Sequence, residues 1–544
     1  MNWNDLTEEQ KKVASSRERR VLVFGSAGSG KTMVALWCAR HFLESSDAQS
    51  WHRVLFLTFS RSAVREIFRR SGRNLTQVRD RVEIQTFHSF ANRVITSLGC
   101  YAGLSGNLPP FQTEAEAKLL KSLGLSKSHL NYDALLPLSL QIIRTPRIKQ
   151  LFSQRWPLII CDEFHDTDDV QWELLCELSE AGRLVLLADP NQMIYDGFLS
   201  HRGVGPQRVE QARNLADIIF DLGTPSHRDP TNIIPAMADA VRQRQFDHAA
   251  VRAAIEHESL RIYNCVTDEN LVNILREEIV AARQAGARTI GIFGHSNQGV
   301  ADLSIELLNE GIDHVLVGLP EAHGEALATL EALCLHGLQR IDLDKIKLRL
   351  AIYLTASVRG NEIPELALAL VGKGTLHERL RKRIETESRA LRKSAEEGML
   401  FLVQTATQVW PHLGITTGRR PWNQASRSFG AIAQQVLLRV RGREEEFLSE
   451  LSRRVSEQKA ESFFDLDMGS GHMIQVMNFH QTKGREADVV VLVYRDSDWF
   501  GYENEPFPRN SRLLYVSLTR ARKRVVVILP QTPHPLVAPF THLV

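Results

Sequence analysis

Val21-Leu22-Val23-Phe24-Gly25-Ser26-Ala27-Gly28-Ser29-Gly30-Lys31-Thr32 decides the fold. An apolar run enters G-x-x-x-x-G-K-T, and a helical pattern follows from Val34 to Phe42. Gly25, Gly28 and Gly30, with Ser26, Ala27 and Ser29 between them, let backbone N–H groups converge on phosphate oxygens. The helix N-terminus adds its partial positive charge. Lys31 is expected to reach the β- and γ-phosphates of ATP, and the Thr32 hydroxyl to ligate Mg²⁺. A glycine-rich turn matching by accident would lack the strand before it and the helix after it.

A nucleotide site also needs acids for metal and water. Leu158-Ile159-Ile160-Cys161-Asp162-Glu163 reads as a buried strand ending in two of them. Asp162 is expected to hold Mg²⁺, directly or through water, and Glu163 to orient and deprotonate the attacking water. An ordinary helix cap is the competing reading of Asp-Glu, and the loop upstream argues against it.

The rest of the chain narrows the class. Its 544 residues leave room for three or four domains of roughly 150 residues each. With 43% hydrophobic and 24% charged residues it is too apolar for a disordered chain. No apolar run approaches the ~20 residues that span a bilayer, so no membrane association is expected. Met1-Asn2-Trp3-Asn4-Asp5 carries no basic-then-apolar leader, and a cytoplasmic location is expected. Cys38, Cys100, Cys161, Cys176, Cys265 and Cys334 stand singly, which disfavours a zinc ribbon or an iron–sulfur cluster. Net charge is only +2, but Arg53 to Arg81 holds eight arginines against Glu66 and Asp80. Such a run is either a solvated helix face or a phosphate-binding one.

Further motifs choose among ATP-binding folds. Leu6–Gln10 (LTEEQ) precedes the loop; Arg53–Ile67 (RVLFLTFSRSAVREI) and Ile84–Phe90 (IQTFHSF) follow it. Next come Asp162–Asp166 (DEFHD) and Leu186–Tyr195 (LLADPNQMIY), then Asn478–Glu486 (NFHQTKGRE) and Arg512–Ala521 (RLLYVSLTRA). In this order the set resembles the UvrD/Rep family of superfamily 1 helicases, over residues 1–235, about 286–318 and 470–530. The resemblance implies that Gln10 reads adenine, Gln192 senses the γ-phosphate and links it to DNA, and Glu486 meets the ribose. It implies further that Arg228, within Ser226–Ile233, and Arg520 touch the γ-phosphate from the second core. Charge on the transferring phosphoryl group must be stabilised, and guanidinium groups from a facing domain make closure depend on ATP.

The sequence departs from the family pattern at several points. His165 stands for the glutamine of Asp-Glu-x-Gln-Asp, and His227 for a tyrosine that commonly stacks on adenine. Met33 replaces an arginine, and Gly197-Phe198 replaces Trp-Arg. Single strands are held by stacking and phosphate contacts. Phe59, Tyr195 and Phe198 are candidate stacking residues, with core packing as the competing reading. Arg61, Arg65 and Arg69 would share one helix face, and Thr86, His88 and His480 match family positions along the same track.

The expected architecture is α/β, with two tandem RecA-like P-loop cores, each carrying a mainly helical insertion. The first core is expected at 1–95 and 150–225, with a short insertion at 96–149. The second is expected at 226–319 and 470–544, with an insertion at 320–469. In the latter, Arg379–Arg383 and Arg389–Lys393 read as a solvated basic helix or a duplex or partner contact. The resemblance implies a 3′-to-5′ ATP-dependent translocase on single-stranded DNA that unwinds tailed duplexes. The alternative is a DNA-sensing or protein-displacing motor subunit of a repair or anti-phage (antiviral) defence complex, acting with a separate nuclease. An RNA-directed motor is a third reading, for which no residue set recognisably reads the 2′-hydroxyl.

Overall fold

Strands buried on both faces are near-continuous apolar runs, because parallel sheets are covered by helices on each side. Val54–Thr58 (VLFLT) and Ala487–Val493 (ADVVVLV) are such runs, buried at every position. The computed structural model of the chain describes residues 3–58, 78–102, 112–125, 132–196, 202–223, 229, 231–317, 320–358, 362–440, 444–464 and 473–543. Its described residues form two compact units, one of residues 1–104, 136–317 and 468–544, the other of 105–135 and 318–467.

Among its described residues the first unit contains two six-stranded sheets. Strands β1 (Arg20–Phe24), β2 (Val54–Thr58), β3 (Val82–Thr86), β4 (Leu158–Cys161), β5 (Arg183–Ala188) and β6 (Ile218–Asp221) line up as β3-β2-β4-β5-β1-β6. Strands β7 (Leu260–Tyr263), β8 (Ile290–Gly294), β9 (Val315–Leu316), β10 (Ile474–Asn478), β11 (Ala487–Val493) and β12 (Ala521–Ile528) line up as β7-β12-β11-β8-β10-β9. Every pairing is parallel. The chain thus has the expected two RecA-like α/β cores.

Register positions the chemistry. Phe24 pairs with Ala188, and Cys161 with Leu186, so the segments beginning at Gly25, Asp189 and Asp162 leave the same edge of the first sheet. Ligands of open α/β sheets bind outside this carboxyl edge. Segments of the second core pack near it. Ala27 and Ile194 of the first core sit in one apolar cluster with Phe479, Leu513, Tyr515 and Leu518 of the second.

The second unit is helical in its described residues. It includes Pro320–Gly337, Leu343–Ala356, Glu378–Glu397, Met399–Leu413, Arg419–Val440 and Glu444–Phe464. Tyr353, Trp410 and Trp422 form its centre, with ring centroids 4.5, 5.3 and 5.6 Å apart. Each indole N–H finds a carbonyl, Trp410 that of Thr417 at 3.0 Å and Trp422 that of Thr407 at 2.8 Å. The helix Glu114–Ser122 belongs to this unit, with Ala115 and Leu119 in its core. Thr113 donates to Glu325 at 2.6 Å, and Arg349 donates to Glu116 at 3.1 Å. So of the residues 96–149 expected as the first insertion, 105–135 build one body with 318–467, while 96–104 and 136–149 go with the sheets. Among the described residues no helix is long and apolar enough to cross a membrane.

Removing a buried tryptophan costs its packing and leaves a cavity. Trp422→Ala is expected to destabilise the helical unit by about 3–5 kcal/mol, read as a lower urea midpoint in near-ultraviolet circular dichroism. An unchanged midpoint would contradict this packing.

Candidate active site

The loop after β1 turns tightly because its glycines permit it. Gly28 and Gly30 have φ of +84° and +92°, and a Cβ on Gly25 would lie 2.4 Å from Ser29 Oγ. The helix Lys31–Glu44 starts directly on the last glycine. Lys31 is buried, and its ammonium donates to the carbonyls of Gly25 at 2.6 Å and Ser26 at 3.0 Å. It lies 3.8 Å from Asp189 Oδ2. Gln10 reaches this loop from the helix Glu8–Ser15, donating to the Ser29 carbonyl at 3.1 Å, while its capping box with Thr7 fixes the helix start.

The acid pair follows β4. Thr32 Oγ1 donates to Asp162 Oδ2 at 2.8 Å, and the Glu163 N–H donates to Asp162 Oδ1 at 2.9 Å. Glu163 takes φ of +54°, a left-handed conformation uncommon for a residue with a side chain. Burial, and then the neighbouring Glu163, push Asp162 up to about 6. Glu163 Oε2 is buried without a hydrogen-bond partner. These hard oxygen donors fit Mg²⁺, which takes one or two protein oxygens and fills its octahedron with phosphate and water.

Gln192 joins the cores. Its amide donates to Asp189 Oδ2 at 2.7 Å, and its Oε1 accepts from Arg520 Nη2 at 2.9 Å. Arg520 is buried just before β12, with its Nε on the Val516 carbonyl at 2.8 Å. Lys483 is the second cation from this side. It donates to the Gln192 carbonyl at 2.8 Å, pairs with Asp166 and sits 3.9 Å from Glu163 Oε2. Burial pushes Asp166 up to about 7 against the pull of Lys483. A further pair, Arg512 Nη2 to Asp196 Oδ2 at 3.2 Å, spans the cores beside them.

The expected site residues divide accordingly. Gly25, Ser26, Ala27, Gly28, Ser29, Gly30, Lys31, Thr32, Gln10, Asp162, Glu163, Gln192 and Arg520 converge. Glu486, before β11, is instead paired with Arg522 at 2.8 Å. On the DNA track, Thr86 caps the helix Phe87–Leu98 through its hydroxyl, and His88 is half-buried. The Tyr195 hydroxyl donates to the His480 carbonyl at 3.4 Å, with the rings 6.2 Å apart. Burial holds His480 down to about 4. Phe59, Arg61, Arg65, Arg69, Phe198, His227 and Arg228 lie outside the described residues.

Sequence reasoning missed Lys483, although the NFHQTKGRE stretch was in view, because its acidic partner lies in the other core. It also missed the aromatic pair Trp499 and Tyr502, 60% and 93% exposed and 5.1 Å apart edge to face. No motif marks their stretch.

Comparison with known proteins follows the same division. The model of the UvrD/REP helicase N-terminal domain matches residues 6–130 and 117–209, and that of the UvrD-like helicase C-terminal domain matches 473–528. ATP-dependent DNA helicase PcrA of Leuconostoc citreum is 22% identical over 384 residues, covering 58% of this chain and 50% of that protein. DNA helicase II of Escherichia coli strain K12 is 23% identical over 267 residues, 39% of this chain and 36% of that one. RecBCD enzyme subunit RecB of Mycolicibacterium smegmatis is 54% identical over 44 residues, 8% of this chain and 4% of that one. The matches thus span half or less of these relatives' own lengths.

The Asp166–Lys483 pair carries a pH signature. Asp166 ionises at about 7 when folded against an ordinary 3.8, so the folded chain keeps a proton that the unfolded chain releases. This contribution is present in full below the unfolded value, is lost as pH rises, and levels off above the folded value. Lys483→Met raises the folded value further. The deficit against the parent therefore widens above about pH 7, by up to about 1.4 kcal/mol per pH unit. Urea unfolding of both proteins from about pH 6 to about pH 9 checks this, and a pH-independent deficit would contradict it.

Proposed function

The chain belongs to the UvrD/REP helicase family, and on that premise we propose that it is an ATP-driven motor on single-stranded DNA. The observation that carries the proposal is the hydrogen bond from Arg520 to Gln192, which joins the second core to the first beside the phosphate loop. A site shared by two cores ties nucleotide state to their separation. ATP enters along the loop, and Lys31 exchanges the Gly25 and Ser26 carbonyls for β- and γ-phosphate oxygens. Gln10 reads the adenine, His227 contributes to nucleotide binding, and Glu486 takes the ribose once it leaves Arg522.

Thr32 and Asp162 hold Mg²⁺, which supplies charge neutralisation on the phosphates. Glu163 orients and deprotonates the attacking water, and Gln192 senses the γ-phosphate. Arg228 and Arg520 stabilise the charge that develops on the transferring group. Hydrolysis releases this grip and lets the cores part. Phe59, Arg61, Thr86, His88, Tyr195, Phe198 and His480 track the strand, so alternating closure becomes stepwise 3′-to-5′ movement and unwinding of tailed duplexes. A cytoplasmic location is part of the proposal, supported by six free thiols.

A second reading makes the chain a motor subunit of a repair or anti-phage complex with a separate nuclease. The short likeness to a RecBCD enzyme subunit favours it. A stoichiometric nuclease in a pull-down would support this reading, and robust unwinding by the chain alone would support the autonomous helicase.

The direct test is ATP hydrolysis with and without single-stranded DNA. DNA should stimulate the parent strongly. Lys31→Ala should abolish turnover, and Glu163→Gln should lower kcat by about 10²–10⁴-fold while still binding ATP. Displacement from 3′-tailed rather than 5′-tailed duplexes should then follow. A parent that binds ATP but stays idle with every strand would contradict the autonomous motor.

A further inference from the structure

His165 stands where the family pattern has glutamine, and it is fully buried at the centre of the site. Five groups face its ring, one of them the Gln192 backbone carbonyl as a hydrogen-bond acceptor. The Asp189 N–H donates to Nδ1 at 3.1 Å. Lys483 Nζ lies 2.8 Å from Nε2, Glu163 Oε2 lies 3.4 Å from it, and Asp166 Oδ1 lies 3.8 Å from it. A neutral imidazole offers one donor and one acceptor. Here both nitrogens face a donor, so one contact must yield.

The backbone decides which. Asp189 N–H is fixed at the end of β5, so Nδ1 accepts and Nε2 carries the proton. That proton then faces the Lys483 ammonium, donor against donor. Lys483 has better partners in Asp166 and the Gln192 carbonyl at 2.8 Å. Two acceptors remain for Nε2–H: the Gln192 carbonyl, which already accepts from Lys483, and Glu163 Oε2, which has no hydrogen-bond partner. A small separation of Lys483 from the ring, or a small turn of Glu163, satisfies every group at once. Burial and the nearby Lys483 hold the ring's ionisation well below its usual range, so it stays neutral.

We propose that His165 is a positioning residue for hydrolysis: Nδ1 anchors the ring on the Asp189 N–H, and Nε2–H aims the Glu163 carboxylate at the attacking water. This role rests on the ATPase reading above and deepens it. Lys483 belongs to the second core, so its distance from Nε2 sets how freely Glu163 reaches the Nε2 proton. The histidine thereby makes the aim of the base depend on where the second core stands.

The competing role is a plug that satisfies the buried Asp189 N–H, and two substitutions separate the two. His165→Gln keeps a nitrogen donor near the place of Nε2, and His165→Asn keeps an oxygen acceptor near the place of Nδ1. DNA-stimulated hydrolysis is measured for both, with thermal unfolding beside it. H165Q is expected to keep kcat within about threefold of the parent, and H165N to lose about tenfold or more with KM unchanged. In a Glu163→Gln background, H165N should cost nothing further, because there is no base left to aim.

An H165N as fast as H165Q, a loss confined to KM, or a further tenfold loss in the E163Q background would each overturn the positioning role. A parent that hydrolyses no ATP overturns the ATPase reading, and the role falls with it.

Discussion

The hydrogen bond from Arg520 to Gln192 joins the two cores, and the rest of the site is arranged around it. A guanidinium buried at such a junction needs acceptors on every side, because an unpaired buried charge is expensive. Arg520 finds them in Gln192, the Thr519 hydroxyl and the Val516 carbonyl. Gln192 in turn is held by Asp189, which faces Lys31. A continuous chain of polar contacts therefore runs from the phosphate loop of one core to Arg520 of the other.

The electrostatics of this junction follow from burial. Asp162 and Asp166 are both pushed upward, to about 6 and about 7, because little water reaches them. Lys31 and Lys483 approach these acids from opposite cores. The acids stand where metal, water and phosphate charge is expected, and the lysines where it can be balanced. Glu163, in a left-handed conformation with one buried oxygen lacking a hydrogen bond, is held in an arrangement that isolated chemistry would not choose. Such strain is common at functional sites, where the surrounding fold over-determines the backbone.

The features that depend on short-range spacing were legible in the sequence. The loop at 25–32 and the acids after β4 each sit at the end of an apolar strand, and both lie at one sheet edge. Arg520 was legible through the resemblance of Arg512–Ala521 to a family motif. Less legible was whatever depends on two distant segments meeting. Lys483 and His165 touch across 318 residues of chain. Thr113 and Glu325, 212 residues apart, tie a piece of the first insertion into the second. No periodicity reports such contacts. His165 was visible as a departure from glutamine, but not that its ring would be caught between two donors.

The central claim is that one nucleotide site is built from both cores. Hydrogen–deuterium exchange of the intact chain, with and without a non-hydrolysable ATP analogue and Mg²⁺, tests it directly. The account expects protection at residues 25–32 and 186–196 of the first core together with protection at 479–487 and 512–521 of the second. Protection confined to the first core, at analogue concentrations that saturate binding, would contradict it.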